Sequence, residues 1–166
     1  MMGQLKLIIA ASIASLTVIS LASRPLFAAS PPVGDTRSQI ADALHSLEAA
    51  LARGDNATQI SHMLYANDDR LTGEGETAST RGMADTIKDV QGWMDSLGPG
   101  GTKGCKYTVL DPVVSSATTF SSFVLLRCKA NPPILKDDQE LRMMYVWKKQ
   151  APGWRVVLEM YESGKM

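Results

Sequence analysis

Leu141-Arg142-Met143-Met144-Tyr145-Val146-Trp147-Lys148-Lys149, followed after Gln150-Ala151-Pro152-Gly153 by Trp154-Arg155-Val156-Val157-Leu158-Glu159-Met160-Tyr161, decides the fold. Both runs are rich in β-branched and aromatic residues, and the stretch between them holds turn formers, so they read as a β-hairpin. With the turn at Ala151-Pro152, Lys149 pairs with Trp154. Tyr145 then faces Leu158, Met144 faces Glu159 and Arg142 faces Tyr161. Successive side chains point to opposite faces. One face therefore carries Met143, Tyr145, Trp147, Val156, Leu158 and Met160. The other carries Arg142, Met144, Val146, Val157, Glu159 and Tyr161. A carboxyl set among Met, Val and Tyr is a candidate desolvated general base. If the domain is an enzyme, Glu159 is the expected catalytic residue, with Tyr161 or Tyr145 as hydrogen-bond donor. The structural alternative is a diagonal Glu159–Arg142 ion pair across the strands.

Working upstream, Tyr107–Leu110 and Thr118–Lys129 also read as strands. Before Gly104 the period is helical. Ile40, Leu44, Leu47 and Leu51 form one stripe on a helix starting at Asp35 or Thr36 and ending at Arg53-Gly54. Asp55 or Asn56 caps a shorter helix with Ile60, Met63 and Leu64 inward. A third helix runs from about Gly82 to Leu97 on Met83, Ile87, Val90, Met94 and Leu97, and Gly98-Pro99-Gly100-Gly101 stops it. Asn67–Ser79 reads as a loop with a short strand near Arg70–Thr72. Helices followed by strands give an α+β domain, with the helices on one face of an antiparallel sheet.

The two cysteines fit this hairpin logic. With Ser116-Ala117 as a two-residue loop, Ser115 pairs with Thr118, and counting outward in step brings Cys105 opposite Cys128. Facing positions lie within disulfide reach, so a Cys105–Cys128 bond is expected, with a bulge at Asp111-Pro112 able to shift the register by one. The alternative is two buried free thiols.

The N-terminal segment reads as an export signal: Lys6, an uncharged apolar run from Leu7 to Ala22, then Ser23-Arg24-Pro25 and the small residues around Ala28. Cleavage is expected after Ala28, with Ala22 as the rival position and an uncleaved anchor as the third possibility. The run of roughly 16 residues is short of the ~20 that span a bilayer. Residues 29–34 form a Pro-rich leader to a domain over 35–166. The signal holds two of the 17 basic residues (Lys6 and Arg24) and none of the 17 acidic ones, leaving 15 against 17, a formal charge of −2. With no basic stripe, neither nucleic acid nor an anionic membrane surface is an expected partner. No stable membrane insertion is expected after cleavage. The expected compartment is oxidising, periplasmic or secreted.

Ala52-Arg53-Gly54-Asp55, the stretch Leu64-Tyr65-Ala66-Asn67-Asp68-Asp69 and Arg81-Gly82, in this order of helices and strands, resemble the nuclear-transport-factor-2-like superfamily. The likeness is to its ketosteroid isomerase-like and SnoaL-like polyketide cyclase branches, and it spans Asp35 to Glu162. It implies a cone with an apolar interior pocket, made by a curved sheet wrapped around a long helix, and a homodimer through the outer sheet face. The isomerase residues do not carry over. The tyrosine position holds Leu47, the base falls near Gly73 with Glu74 the nearest acid, and the second acid falls at Met143 or Met144. Steroid isomerase activity of the usual mechanism is therefore not expected.

Other candidates each have a plainer reading. Tyr65, Asp69, Arg81, Tyr145 and Trp147 are expected to line the pocket. His62 and Tyr65 share a helix face and form an acid/base candidate, or a packed tyrosine beside an exposed histidine. Asp68 and Asp69 are paired carboxylates or turn formers, and Arg81 is an anion binder or the partner of Glu74 or Glu76. No nucleophile elbow, phosphate loop or zinc spacing occurs, and the methionines read as core filling, so neither cofactor nor metal is expected. Two functions stay open: an apolar small-molecule pocket, as carrier or as cofactor-free isomerase, cyclase or dehydratase, and an interaction module using the outer sheet face.

Overall fold

The computed structural model describes residues 33–164 except 69, 76 and 77, and for 33, 34 and 111–115 the backbone only. The segment read as an export signal, and the expected leader up to residue 32, lie outside the described residues. The chain forms α1 (Val33–Arg53), α2 (Ala57–Leu64), β1 (Thr72–Glu74), β2 (Ser79–Arg81), α3 (Gly82–Leu97), a 3₁₀ turn (Gly101–Gly104), β3 (Lys106–Ser115), β4 (Thr119–Cys128), β5 (Gln139–Gln150) and β6 (Gly153–Ser163).

The helices form where the apolar stripes require them. Ile40, Leu44, Leu47 and Leu51 of α1 are buried together with Ile60 and Leu64 of α2 and Val90 and Leu97 of α3. Gly54 (φ 86°) ends α1 in the left-handed region that glycine adopts without steric cost. Asn56 then caps α2 through a full capping box with Gln59. At the end of α3, Gly98 (φ 72°) meets Ile134, and a Cβ there would clash with that side chain.

The six-stranded sheet has the order β2-β1-β6-β5-β4-β3. The long strands pair antiparallel as expected. The loop expected after α2 instead folds into the β1–β2 hairpin, and β1 pairs parallel with β6 (Thr72↔Leu158, Gly73↔Glu159, Glu74↔Met160), so the sheet is mixed. α1 is fastened across it by Trp154 Nε1 donating to Gln39 Oε1 (3.0 Å) and by Arg37 donating to the Val109 carbonyl (3.1 Å). Buried Glu48 accepts from the Tyr107 amide (2.7 Å) and Lys106 Nζ (3.0 Å), fixing the start of β3 against α1. Burial opposes the Glu48 charge, but these donors and His45 outweigh it and hold its pKa below the usual value.

The Cys105–Cys128 disulfide is present. Near it, β3 and β4 keep the expected register (Lys106↔Arg127 through Val109↔Val124). The turn is longer than expected: Ser115 pairs with Phe120, not Thr118. Two register shifts around Pro112 absorb the difference. Proline has no N–H for the ladder, so an irregularity there follows from the residue type.

Candidate active site

The site starts with a kink in the decisive hairpin. From Gln150↔Gly153 to Trp147↔Val156, β5 and β6 pair in the expected register. Val157 is then an extra residue, and the pairs continue as Val146↔Leu158, Tyr145↔Glu159 and Met143↔Tyr161. A bulge of this kind reverses which residues face inward beyond it. Burial on β6 follows: Trp154 and Val156 are buried, and the next buried position is Glu159. This corrects the expected faces. Glu159 lies opposite Tyr145 rather than Met144, and Tyr161 opposite Met143 rather than Arg142. Both join the interior face with Tyr145, while Met160 turns out to solvent. A Glu159–Arg142 ion pair is therefore not formed.

Tyr65 reaches the same point from α2. It is the C-cap of that helix, with extended backbone, and bridges in parallel to Val156, while the Ala66 amide donates to the Val156 carbonyl (2.8 Å). Its hydroxyl donates to Glu159 Oε2 at 2.5 Å. The Tyr145 hydroxyl lies against the same carboxyl and against Met143 Sδ (3.0 Å). Glu159 is 7% exposed. Burial pushes its pKa up to about 7 and the nearby Asp89 charge adds to the rise, while the hydrogen bonds from Tyr65 and Tyr145 hold it down. Burial, then the Glu159 charge, raises Tyr65 and Tyr145 well above the usual phenol value, so both remain hydrogen-bond donors.

This cluster lines a cavity of about 550 Å³ between the sheet, α2 and α3. Apolar walls come from Ile60, Leu64, Val90, Leu126 and Leu141. Tyr107 of β3 reaches in near Glu159. Burial, with the Glu159 and Glu48 charges, pushes its phenol pKa up, and its hydroxyl has no hydrogen-bond partner among the described residues. On the α3 side, Tyr161 donates to Asp89 Oδ1 (3.2 Å) and Trp93 Nε1 donates to Gln139 Oε1 (3.1 Å). The Tyr161 ring lies over Gly75, where a Cβ would come within 2.5 Å of it. Chemically, the arrangement offers one buried carboxyl able to hold or release a proton near neutral pH and one unengaged phenol donor beside it.

Four of the expected residues thus meet at the cavity: Glu159, Tyr161, Tyr65 and Tyr145. Trp147 does not line it; it is fully buried behind, with Nε1 donating to Ser122 Oγ (3.0 Å) and its ring edge-on to Tyr145. Arg81 is exposed and pairs with Glu74 (3.3 Å), away from the cavity. Asp69 lies outside the described residues. His62 is exposed while Tyr65 is buried, and Asp68 closes a turn by accepting from the Arg70 amide (2.9 Å). Of the positions implied by the isomerase resemblance, Leu47 is core and Met143 lines the cavity. Gly73 is the β1 partner of Glu159, so the acid stands one strand over from the implied place of the base. Tyr107, Asp89 and Trp93 were not singled out from sequence. Asp89 neighbours Val90 on the inner side of α3, but a lone polar residue beside an apolar stripe carries no signal of a cavity. Among the described residues no group of three or more His, Cys, Asp or Glu could hold a metal ion.

No family model matches the sequence, and no curated protein does. Solved structures do match the fold. A nuclear transport factor 2-like protein of unknown function from Shewanella oneidensis is 17% identical at a TM-score of 0.60, with 75% of this chain and 97% of that one covered. A ketosteroid isomerase-like protein from Erwinia carotovora atroseptica is 14% identical at 0.59, covering 78% and 96%. A nuclear transport factor 2-like superfamily protein from Salmonella enterica is 11% identical at 0.55, covering 81% and 95%. With helices packed on a curved sheet around a cavity, the chain has the nuclear transport factor 2-like α+β cone fold.

Proposed function

We propose that this is an exported small-molecule-binding domain. Its cone cavity takes a largely apolar ligand and exchanges a proton with it through Glu159, as a cofactor-free enzyme of isomerase, cyclase or dehydratase type would. The observation that carries the reading is a carboxyl buried at the wall of a cavity of about 550 Å³, with the Tyr65 hydroxyl donating to it and the Tyr145 hydroxyl beside it. A core built only for stability would fill that space and avoid the desolvated acid. Tyr107 supplies the hydrogen bond to a ligand oxygen or nitrogen, and Tyr65 orients the carboxyl. The disulfide and the apolar leader support an oxidising compartment, periplasmic or extracellular.

The alternative role, an interaction surface, rests on one observation. Phe123, Met144 and Met160 form a cross-strand row on the outer sheet face, with Phe123 49% and Met160 48% exposed. We assign that row to a homodimer contact, which is compatible with an occupied cavity. Native mass spectrometry of protein purified gently from its own compartment tests the reading. A small molecule released on denaturation supports it. A chain that is repeatedly empty, and that takes up nothing from a pool of its host's metabolites, moves the function to the outer face.

A further inference from the structure

The charge inventory of the cavity is one-sided. The titratable groups facing Glu159 are Tyr65 at the end of α2, Lys88 and Asp89 on α3, Tyr107 on β3, Tyr145 on β5 and Tyr161 on β6; β4 contributes Leu126 and nothing that titrates. The one cation among them, Lys88, has a side chain 80% exposed and pairs with Asp85 at 3.3 Å. Among the described residues Glu159 has no ion-pair partner, and phenol hydroxyls solvate a carboxylate without neutralising it. The walls are strongly aromatic, with Trp93 and four tyrosines lining the space. Aromatic faces attract cations, and do so more when desolvated.

We propose that the ligand of this cavity is a small organic cation, an amine or quaternary ammonium on an apolar body, seated with its charge against Glu159. The inference rests on reading the cavity as a small-molecule site and names the class of molecule it takes. An anionic ligand would meet Glu159 and Asp89 with nothing to balance them. A neutral one leaves the buried acid protonated and the aromatic walls without a charge to attract. A ligand ammonium supplies the missing counter-charge. If the amine enters neutral, its lone pair takes the carboxyl proton: the O–H bond breaks, an N–H bond forms, and an ammonium–carboxylate pair remains. If it enters as a cation, the Glu159 proton leaves to solvent. Either way the bound state holds the same pair.

The test uses two probes of one shape, benzyltrimethylammonium and its uncharged carbon isostere neopentylbenzene, titrated into the purified protein with protein-observed NMR at pH 6 and pH 8. With Glu159 titrating at about 7, the ammonium probe binds about tenfold tighter at pH 8, because the ionised fraction rises by that factor. The isostere shows no such step. Glu159→Gln flattens the pH dependence. Asp89→Asn keeps the step but moves its midpoint down, since the Asp89 charge raises Glu159, and so it reports even if the first variant folds poorly. Binding of the isostere as tightly as the cation at both pH values overturns the inference and leaves the small-molecule site standing. Failure of both probes together with an empty native mass spectrum overturns the site as well.

Discussion

Burying Glu159 has a thermodynamic signature that can be measured without any ligand. Its folded pKa stands at about 7 against an ordinary value of 4.5. A carboxyl raised in the folded state favours folding fully below its unfolded pKa, and that contribution is lost as pH rises through the folded one. Between about pH 5 and pH 7 the native state binds a proton that the unfolded state has released, so stability falls by up to about 1.4 kcal/mol per pH unit and levels off above pH 8. The full change is about 3 kcal/mol, the energy of a shift of this size. Glu159→Gln keeps an oxygen to accept from Tyr65 but cannot ionise. Urea unfolding of both proteins, disulfide intact, at half-unit steps from pH 4 to 8.5 isolates the effect, since every other titrating group cancels in the difference. The two should differ little in their pH response below pH 4.5. The variant should gain about 3 kcal/mol on the parent by pH 8. Parallel curves across the whole range would show that Glu159 ionises in the folded protein as freely as in the unfolded chain, and the buried-acid reading would be wrong.

The remaining predictions concern the groups around this carboxyl and the scaffold that holds it. Tyr65→Phe removes a donor that holds the Glu159 pKa down, so the midpoint followed by carboxyl ¹³C NMR should rise above that of the parent; an unchanged midpoint would place the hydroxyl elsewhere in solution. Replacing both cysteines by alanine opens a closure of sequence separation 23 and should lower stability by about 3 kcal/mol in urea unfolding. Loss of less than about 1 kcal/mol would mean that the unfolded chain keeps residual structure which already holds the two segments together. The proposed homodimer contact predicts that the parent sediments as a dimer and that Phe123→Lys together with Met160→Lys shifts it toward monomer in sedimentation velocity, with the melting temperature nearly unchanged; a monomeric parent would remove the assignment. A persistent dimer would remove the outer-face assignment.

The scaffold was legible in the sequence because its signals are redundant. The α1 stripe repeats over about three turns, Gly54 and Asn56 mark one boundary, and Gly98 marks another, so an error at one residue does not move the element. The cysteine register shows how such redundancy works. Its expected turn was two residues too short, yet Cys105 does meet Cys128. The extra residues in β3 around Pro112 take up the longer turn, and the ladder beside the disulfide runs in step with the reading from sequence. Chains that must close the same pair can differ in the turn so long as the irregularities compensate. Of the β1–β2 hairpin only a short strand near Arg70–Thr72 was expected, for the opposite reason: at three residues per strand, with two glycines in or beside β1, it has too little alternation to show its pairing.

The site was only half legible, and the reason is local to Val156-Val157-Leu158. Alternation assigns faces only while apolar and polar residues alternate. Three apolar residues in a row fit either face, so the sequence carries no phase across them. Counting straight through sends Glu159 outward with Met144 and Arg142; inserting one residue at Val157 turns it inward to Tyr145 and Tyr65. The sequence left open which face lines the cavity; Glu159 is buried, but opposite Tyr145 and against Tyr65 rather than among Met144, Val146 and Val157. The energetics give the bulge its meaning. In the unshifted register Glu159 would lie on the outer sheet face, and the loss of about 3 kcal/mol at neutral pH would not arise. A strand irregularity that turns an acid into the cavity, where it weakens the fold at neutral pH, fits the proposed proton exchange through Glu159 better than a purely structural role.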